Sequence, residues 1–227
     1  MIMGNRNFRG VDMMAGYWSQ QIHAVAFELV RNTVPPPAKV LDVGAGHGAF
    51  SKRLTEAGYN TVAIEGFVEF QVPTVKCYRA NLNEDWPTDI GEPFDVIVAI
   101  EIIEHLENPF HFARQARAKL HPNGKIVITS PNPLNILSRW KFLFKGNFDM
   151  LEHNDHLTVI LPRTIDLLSQ KSGFRIIKRT FDVDPLKVHS SWRGYIGKKA
   201  SRLLSLTFMR GHNCLEGNSN IWLLEAV

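Results

Sequence analysis

Residues 40–50 read VLDVGAGHGAF, an apolar strand that runs into an aspartate and then into three glycines at alternate positions. Gly44, Gly46 and Gly48 let the backbone turn tightly and approach a ligand with no Cβ in the way. Residues 49–57 are expected to form a helix, whose free N–H groups would begin close to that ligand. The stretch therefore predicts the first strand, turn and helix of a parallel α/β sheet that binds a cofactor.

The spacing of the glycines bears on which cofactor this is. The dinucleotide fingerprint GxGxxG leaves two residues before its third glycine, whereas only His47 separates Gly46 from Gly48. The spacing disfavours NAD, although it excludes neither a dinucleotide nor a glycine-rich turn without a ligand. An NAD-dependent dehydrogenase is therefore kept as a weaker alternative.

Size and composition favour a single domain over residues 1–227. The chain has 227 residues, of which 44% are hydrophobic and 21% charged, and two cysteines that lie too far apart to indicate a disulfide framework or a zinc site. No apolar run approaches the roughly 20 residues that span a bilayer, and residues 1–10 lack the apolar core of a signal peptide. We expect a soluble, cytoplasmic protein.

Runs of apolar, β-branched residues alternate with helix-like stretches, which is typical of a parallel sheet. Ligands bind beyond the carboxyl ends of such strands, so the loops that follow them should converge on one site. The expected strands are 39–43, 61–64, 74–78, 94–100 and 125–129, followed later by 174–181 and 220–225. The converging loops hold the three glycines, Glu65, residues 101–105 and residues 131–156.

Two further blocks indicate the family. Residues 94–109 read FDVIVAIEIIEHLENP, and residues 121–132 read HPNGKIVITSPN. Together with the glycine loop and Glu65, they closely resemble the ordered motifs of the class I S-adenosylmethionine-dependent methyltransferases, in the broad bacterial type of methyltransferase domain. The resemblance implies a Rossmann-like, doubly wound sheet of seven strands in the order 3-2-1-4-5-7-6, with strand 7 antiparallel.

The same resemblance implies S-adenosylmethionine as the cofactor and assigns residues to it by position. The glycines Gly44, Gly46 and Gly48 would line its methionine portion, and Asp42 would support their loop. Glu65 would hold the ribose hydroxyls, Asn81 and Leu82 the adenine, and Ile100 and Glu101 the methionine amine.

The chemistry of the cofactor limits what the protein must add. A sulfonium methyl group is already activated, so the enzyme has mainly to align a nucleophile and exclude water. A hydroxyl nucleophile still benefits from losing its proton, and His105, His153 and His156 are the candidate bases by loop position. We expect methyl transfer to an oxygen of a small-molecule acceptor, while a structural role for these histidines stays open.

A metal site is the alternative for the same region. On a helical turn, Glu101, Glu104 and His105 would share one face and could hold a divalent cation, with a fourth ligand from His153 or His156. The Glu-x-x-Glu-His pattern is similar to that of ubiquinone-pathway O-methyltransferases and of small-RNA 2′-O-methyltransferases, where it is a metal site. It is also widespread in metal-free relatives, and we favour no metal.

Residues 133–161 and 185–213 are expected to be excursions on the substrate side. The first interleaves aromatic with basic residues, which could stack a nucleic acid, form an apolar pocket with a cationic rim, or pack over the sheet. Residues 192–209 could make peripheral membrane contact, although packing against the domain is favoured. A metal-assisted RNA 2′-O-methyltransferase is one alternative function, although no RNA-binding module is recognisable in the sequence. A non-catalytic S-adenosylmethionine-binding partner subunit is the other.

Overall fold

Apolar strands buried on both faces form the centre of the molecule, and helices cover each face. The computed structural model describes residues 12–91, 93–182 and 217–227. The strands are β1 Lys39–Val43, β2 Asn60–Ile64, β3 Lys76–Tyr78, β4 Phe94–Ala99, β5 Leu120–Pro131, β6 Phe174–Phe181 and β7 Ser219–Ala226. The α-helices are α1 Asp12–Thr33, α2 Ala49–Glu56, α3 Pro109–Lys119, α4 Ile136–Lys145 and α5 Pro162–Ser172, with 3-10 turns at Ile103–His105 and Asp149–Glu152.

The seven strands form one sheet in the order β3-β2-β1-β4-β5-β7-β6. The pairs from β3 through β5 are parallel, and β7 runs antiparallel to both β5 and β6. The predicted α/β class, strand order and antiparallel last strand are therefore confirmed. Successive strands are added on one side of β1 up to β3 and on the other side from β4 onward, and ligands bind in open sheets at the place where the strand order reverses in this way.

Alternate residues of each strand supply two separate cores. In β1, Val40 joins the core formed with α1 and α2, whereas Leu41 and Val43 join the core formed with α3 and α5. Because successive side chains of a strand point to opposite faces, a near-continuous apolar strand can fill both layers. This packing fixes the ends of the strands, and hence the loops that carry the site.

Caps at the helix ends match the local sequence. Asn108 caps α3 by accepting a hydrogen bond from the His111 N–H, and Pro109 follows in the first turn. Asn135 caps α4 in the same way, through the Ser138 N–H, and Gly146 ends that helix in the left-handed conformation. The sequence reasoning did not predict α4, although its cap residues stand at both ends.

One strand boundary differs clearly from the expected one. A strand was expected at 125–129, after a turn signal at Pro122, Asn123 and Gly124, whereas β5 begins at Leu120, which pairs with Phe94. The register then shifts before Val96, and Asn123 has a φ of 64°. Residues 121–124, which include Pro-Asn-Gly, therefore form an irregular stretch of β5 between the pairs at Leu120 and Lys125.

Two findings concern membranes and the second excursion. None of the helices in the described residues is long and apolar enough to cross a bilayer. The predicted excursion at 185–213, and the membrane contact predicted for 192–209, lie outside the described residues.

Candidate functional site

The loops that follow β1, β2 and β3 meet at the carboxyl edge of the sheet. The Gly44 and Ala45 N–H groups both donate to the Ile64 carbonyl, at 2.9 and 3.2 Å, and the Glu65 N–H donates to the Tyr78 carbonyl at 3.0 Å. The turn after β1 is thus fastened to the end of β2, and β2 to the end of β3.

All three glycines of the first loop have left-handed backbone. Their φ angles are 72°, 56° and 95° at Gly44, Gly46 and Gly48. A Cβ on Gly44 would lie 2.2 Å from Ile102 Cδ1, and one on Gly48 would lie 2.5 Å from Val72 Cγ2, so both positions also have no room for a side chain. A Cβ on Gly46 would meet no atom of the described residues within 4 Å. The loop is therefore packed at its two ends and open in its middle.

Glu65 joins the glycine loop to the loop that follows β2. Its Oε2 accepts the Gly46 N–H at 2.8 Å, and its Oε1 accepts the Phe67 N–H at 2.7 Å and the Val68 N–H at 3.2 Å. The side chain is buried, with 7% of the residue exposed. Each carboxylate oxygen has two acceptor positions, so Oε2 can still accept a bond from a ligand hydroxyl.

Asp42 lies beneath the same loop and contacts α2. Its Oδ2 accepts the Ser51 hydroxyl at 2.5 Å, which ties the end of β1 to the first turn of α2. Burial raises the pKa of Asp42 to about 6, and the nearby Glu65 carboxylate adds to the rise. Asp42 therefore lies where it could support the glycine loop from below.

The residues expected at the adenine occupy the turn after β3. Asn81 Oδ1 accepts the Asn83 N–H at 3.1 Å, and Asn81 Nδ2 donates to Glu84 at 3.1 Å. Leu82 is buried in the core formed with α3 and α5. Because the Asn81 side chain is hydrogen-bonded within the turn and the Leu82 side chain is buried in the core, the backbone of this turn is the part that could contact an adenine.

Glu101 follows β4 in an unusual backbone conformation. Its φ is 53°, its N–H donates to Thr129 Oγ1 at 2.8 Å, and the Thr129 hydroxyl donates to Glu101 Oε1 at 2.7 Å. Burial raises the pKa of Glu101 to about 7, and the Asp182 carboxylate adds to the rise. Ile100, just before it, is half-buried against the core formed with α1 and α2.

The structure brings together the three candidate histidines. The ring centroids of His105 and His156 lie 4.7 Å apart, and those of His153 and His156 lie 5.1 Å apart. His105 Nδ1 lies 2.9 Å from the Asp155 carbonyl oxygen. A carbonyl can only accept, so Nδ1 carries the proton in this contact and Nε2 is left as the basic nitrogen.

Backbone hydrogen bonds hold this cluster in place. The N–H groups of Leu157 and Thr158 both donate to the Glu104 carbonyl, at 2.8 and 3.0 Å. The Thr158 hydroxyl also donates to the Leu106 carbonyl at 3.3 Å. The end of the first excursion is thereby fastened to the 3-10 turn after β4, which places His156 against His105.

Glu104 completes a group with two of the histidines. Ligand atoms of Glu104, His105 and His156 all lie within 4.8 Å of one another. Glu101 does not belong to this group, because its left-handed backbone precedes the 3-10 turn and its carboxylate is bonded to Thr129. The predicted arrangement of both glutamates and His105 on one helical face is therefore not what the structure shows.

The electrostatics of the group are unusual. Glu104 is fully buried, and within the described part of the chain neither of its carboxylate oxygens, nor Nδ1 of His156, has a hydrogen-bond partner. Burial raises the pKa of Glu104 well above its usual value, and the charge of Glu101 adds to the rise. Burial lowers the pKa of His156, and the neighbouring His105 lowers it further. Both effects favour the neutral form of the His156 imidazole.

A cavity of about 480 Å³ opens beside the histidines. Its volume is in the range of small-molecule sites. Side chains from β5, α4, the end of the first excursion and the start of β7 line it: Pro131, Asn132, Asn135, Ser138, Lys141, Met150, His153, His156, Asn218 and Ser219. Of the three candidate bases, His153 and His156 reach the lining.

Sequence reasoning missed the residues that surround Glu101. Asp182 follows β6, its Oδ1 accepts the Ser219 N–H at 2.9 Å, and burial raises its pKa. Thr129 and Ser219 come from the paired strands β5 and β7. No local pattern marks these residues, because only the pairing of β7 with β5 and β6 brings them to the same place.

Comparison with protein families agrees with this geometry. A family model described as "Methyltransferase domain" matches residues 15–179. Among curated proteins, the chain is 30% identical over 103 residues to a ubiquinone biosynthesis O-methyltransferase of Azorhizobium caulinodans, covering 41% of this chain and 40% of that protein. A protein of the same name from Rickettsia bellii is 29% identical over 104 residues, covering 41% of this chain and 42% of that one. The chain thus matches about two fifths of the length of these relatives.

Solved structures share the fold at low sequence identity. A SAM-dependent methyltransferase from Archaeoglobus fulgidus superposes with a TM-score of 0.65 at 18% identity, covering 96% of this chain and all of that one. Magnesium protoporphyrin IX methyltransferase from Synechocystis, solved with bound SAH, superposes with a TM-score of 0.58 at 14% identity, covering 100% of this chain and 90% of that one.

Proposed function

Because this chain belongs to the methyltransferase-domain family and has the fold of S-adenosylmethionine-dependent methyltransferases, we propose that it transfers a methyl group from that cofactor to an oxygen of a small-molecule acceptor. One observation supports oxygen as the acceptor atom. Three histidines gather at the carboxyl edge of the sheet, and two of them line a cavity of about 480 Å³.

The cofactor half of the proposal rests on the glycine loop. Gly46 leaves open space above the loop, and Glu65 Oε2, bonded to the Gly46 N–H at 2.8 Å, can accept a ribose hydroxyl as well. Gly44 and Gly48 would let the backbone approach the methionine portion, with Asp42 as the support beneath. Asn81 and Leu82 would border the adenine, and Ile100 and Glu101 the methionine amine.

The acceptor half rests on His156. When bound, S-adenosylmethionine supplies a methyl carbon activated by its sulfonium, and it leaves as a neutral thioether. His156 lines the cavity, and its lowered pKa keeps the ring neutral, as a base at pH 7 requires. His156 takes the proton of the acceptor hydroxyl, His105 packs against it, and His153 borders the same cavity. The excursion at 133–161 forms the acceptor side of the site.

A divalent cation is the second candidate for activating the acceptor. Glu104 fits this role because both of its buried carboxylate oxygens lack partners in the described residues, and His156 Nδ1 is likewise unpartnered there. Glu104, His105 and His156 would hold the ion, which would orient and acidify an acceptor hydroxyl. The two candidates differ in their response to chelation.

The experiment measures transfer of labelled methyl from S-adenosylmethionine into a polar metabolite extract. His156→Ala is compared with His121→Ala, whose side chain is exposed near the beginning of β5, at the opposite edge of the sheet. Loss of a general base lowers the rate by about 10²- to 10⁴-fold. We expect that loss in His156→Ala, full activity in His121→Ala, and unchanged binding of S-adenosylhomocysteine in both.

Chelation distinguishes activation by a histidine base from activation by a divalent cation. Activity that survives EDTA supports the histidine base, and activity that EDTA abolishes and Mg²⁺ or Mn²⁺ restores supports the cation. Full activity of His156→Ala would contradict both, as would label found only in RNA or protein.

A further inference from the structure

Two carboxylates from distant parts of the chain share one polar cluster at the carboxyl edge of the sheet. Glu101 follows β4 and Asp182 follows β6, and the charge of Asp182 acts on the Glu101 carboxylate. Ser219, at the start of β7, interacts with both. Its N–H donates to Asp182 Oδ1 at 2.9 Å, and its hydroxyl stabilises the ionised Glu101 carboxylate. We call Glu101 and Asp182 the carboxylate pair.

No cation of the described residues neutralises the carboxylate pair. None of the ion pairs in that part of the chain involves Glu101 or Asp182. Asp182 is 4% exposed, and its Oδ2 is buried without a hydrogen-bond partner there. Neighbouring carboxylates disfavour each other's charge, and a buried acceptor without a donor costs free energy. A cationic hydrogen-bond donor brought by a ligand would offset both costs.

The carboxylate pair adjoins both halves of the candidate site. Ile102, next to Glu101, packs against the glycine loop, since a Cβ on Gly44 would lie 2.2 Å from Ile102 Cδ1. On the other side, Ser219 belongs to the lining of the cavity that His156 also lines. A ligand group can therefore approach the pair from the cofactor side or from the acceptor side.

We propose that Glu101 and Asp182 together bind an alkylammonium group of a ligand. An alkylammonium has three N–H donors and no acceptor, so it fits two carboxylates and the oxygen of the Ser219 hydroxyl. Hydrogen bonds between ionised partners are about twice as strong as those between neutral groups. The pair does not suit a divalent cation, because the group of metal-ligand side chains found in the described residues is formed by Glu104 and the histidines instead.

The ammonium can come from two sources. The methionine portion of S-adenosylmethionine carries one, and Glu101 is the residue that we place beside it. An acceptor in the cavity can carry the other, with its hydroxyl at His156, and this second source rests on the proposed function. In both cases Asp182 is a binding residue, and the two sources are separated by experiment.

The test compares Asp182→Asn with Asp95→Asn in the purified full chain. Asparagine at 182 keeps an Oδ1 acceptor for the Ser219 N–H and removes the charge. Asp95 is the matched control, because its Oδ2 accepts the Lys39 N–H at 2.8 Å, at the amino edge of the sheet. Glu101→Gln is the second variant, and it removes the other charge of the pair if Asp182→Asn does not fold.

Isothermal titration tests the cofactor as the source. The ligands are S-adenosylhomocysteine and its desamino analogue, which keeps the carboxylate and lacks only the amine. Hydrogen bonds to a charged group change Kd by about tenfold or more. We expect the wild type and Asp95→Asn to prefer S-adenosylhomocysteine by that factor, and Asp182→Asn and Glu101→Gln to lose most of the preference. The titration contains no acceptor, so its result is independent of methyl transfer to oxygen.

Labelled methyl transfer into a polar metabolite extract tests the acceptor as the source. The products are separated by cation exchange at pH 7. An acceptor amine places the label in the retained, cationic fraction. At limiting acceptor, Asp182→Asn should then label this fraction about tenfold less than Asp95→Asn, with the preference for S-adenosylhomocysteine unchanged.

Two outcomes would overturn the proposal. In the first, Asp182→Asn and Glu101→Gln change neither the preference for S-adenosylhomocysteine over its desamino analogue nor the labelling of a cationic product. In the second, the variants lose equal affinity for both nucleosides and label no cationic product less than the control does, which would assign the carboxylate pair a purely structural role.

Discussion

Replacing Gly46 with alanine separates contact with the cofactor from strain in the backbone. Gly46 has a φ of 56°, and Gly146, which ends α4, has a φ of 70°. In the part of the chain that the structure describes, a Cβ at either position would meet nothing within 4 Å. Left-handed backbone costs an L-residue about 1–2 kcal/mol. Both Gly46→Ala and Gly146→Ala should therefore lose that much stability, with Tm falling by about 2–4 °C per kcal/mol.

The two variants should differ in ligand binding. The new methyl group at Gly46 would extend from the loop that is held to Glu65 at 2.8 Å, into the open space where we place the cofactor. Excluding the ligand from this contact should weaken its Kd by at least about tenfold, equivalent to about 1.4 kcal/mol. Gly146→Ala should bind like the wild type.

Isothermal titration with S-adenosylhomocysteine measures the effect, and urea unfolding measures the shared strain. Equal affinity in both variants would show that the open side of Gly46 faces solvent, and it would refute the assignment of this loop to the cofactor. A much larger loss of stability in Gly46→Ala than in Gly146→Ala would refute the separation of strain from contact.

Three further substitutions test the local electrostatics and packing. Asp42→Asn should stabilise the ligand-free protein, because a carboxyl whose pKa rises from 3.8 to about 6 on folding is destabilising once ionised. The increase in the free energy of unfolding, measured with urea, should grow from about 1.5 kcal/mol at pH 5 to about 3 kcal/mol at pH 8. An increase that shrinks with rising pH would contradict a raised pKa for Asp42. Gly66→Ala should lower the free energy of unfolding by about 2–3 kcal/mol, because the new Cβ would lie 2.3 Å from the backbone oxygen of Ala80. A Tm equal to that of the wild type would show that the loops after β2 and β3 can move apart without cost. Glu104→Gln should raise stability at pH 8, since it replaces a buried carboxyl whose pKa is raised and whose oxygens lack partners in the described residues. Calorimetry with Mn²⁺ should show any binding by the wild type abolished in this variant, and a less stable variant would indicate that Glu104 has a partner.

The sequence predicted the sheet well because the signals for it are local. The apolar run before Gly44 and the glycines after it specify a strand, a turn and a helix within about a dozen residues. Strand order followed from the family resemblance carried by residues 94–109 and 121–132. The start of β5 was missed, because Pro-Asn-Gly is typical of a turn and the pairing of Leu120 with Phe94 is a tertiary effect.

The candidate site was predicted in part. His105 and His156 are separated by about fifty residues, and the expectation that they meet came from the convergence of loops in a parallel sheet. The expectation that Glu101 shares one face with Glu104 and His105 required a helical turn. Glu101 instead has left-handed backbone, which the spacing of residues in a sequence does not reveal. Helix α4 was missed although Asn135 and Gly146 are its caps and Trp140, Leu143 and Phe144 recur at helical spacing, because residues 133–161 were interpreted only as an excursion of aromatic and basic residues.

The most direct measurement of the central claim follows the methyl group itself. Wild-type protein is incubated with a polar metabolite extract and S-adenosylmethionine that carries a ¹³C-labelled methyl group, and a proton–carbon correlation spectrum of the small-molecule fraction is recorded. We predict a methoxy signal that His121→Ala retains and His156→Ala loses. An N-methyl or C-methyl signal in its place, or label confined to macromolecules, would contradict methyl transfer to the oxygen of a small molecule.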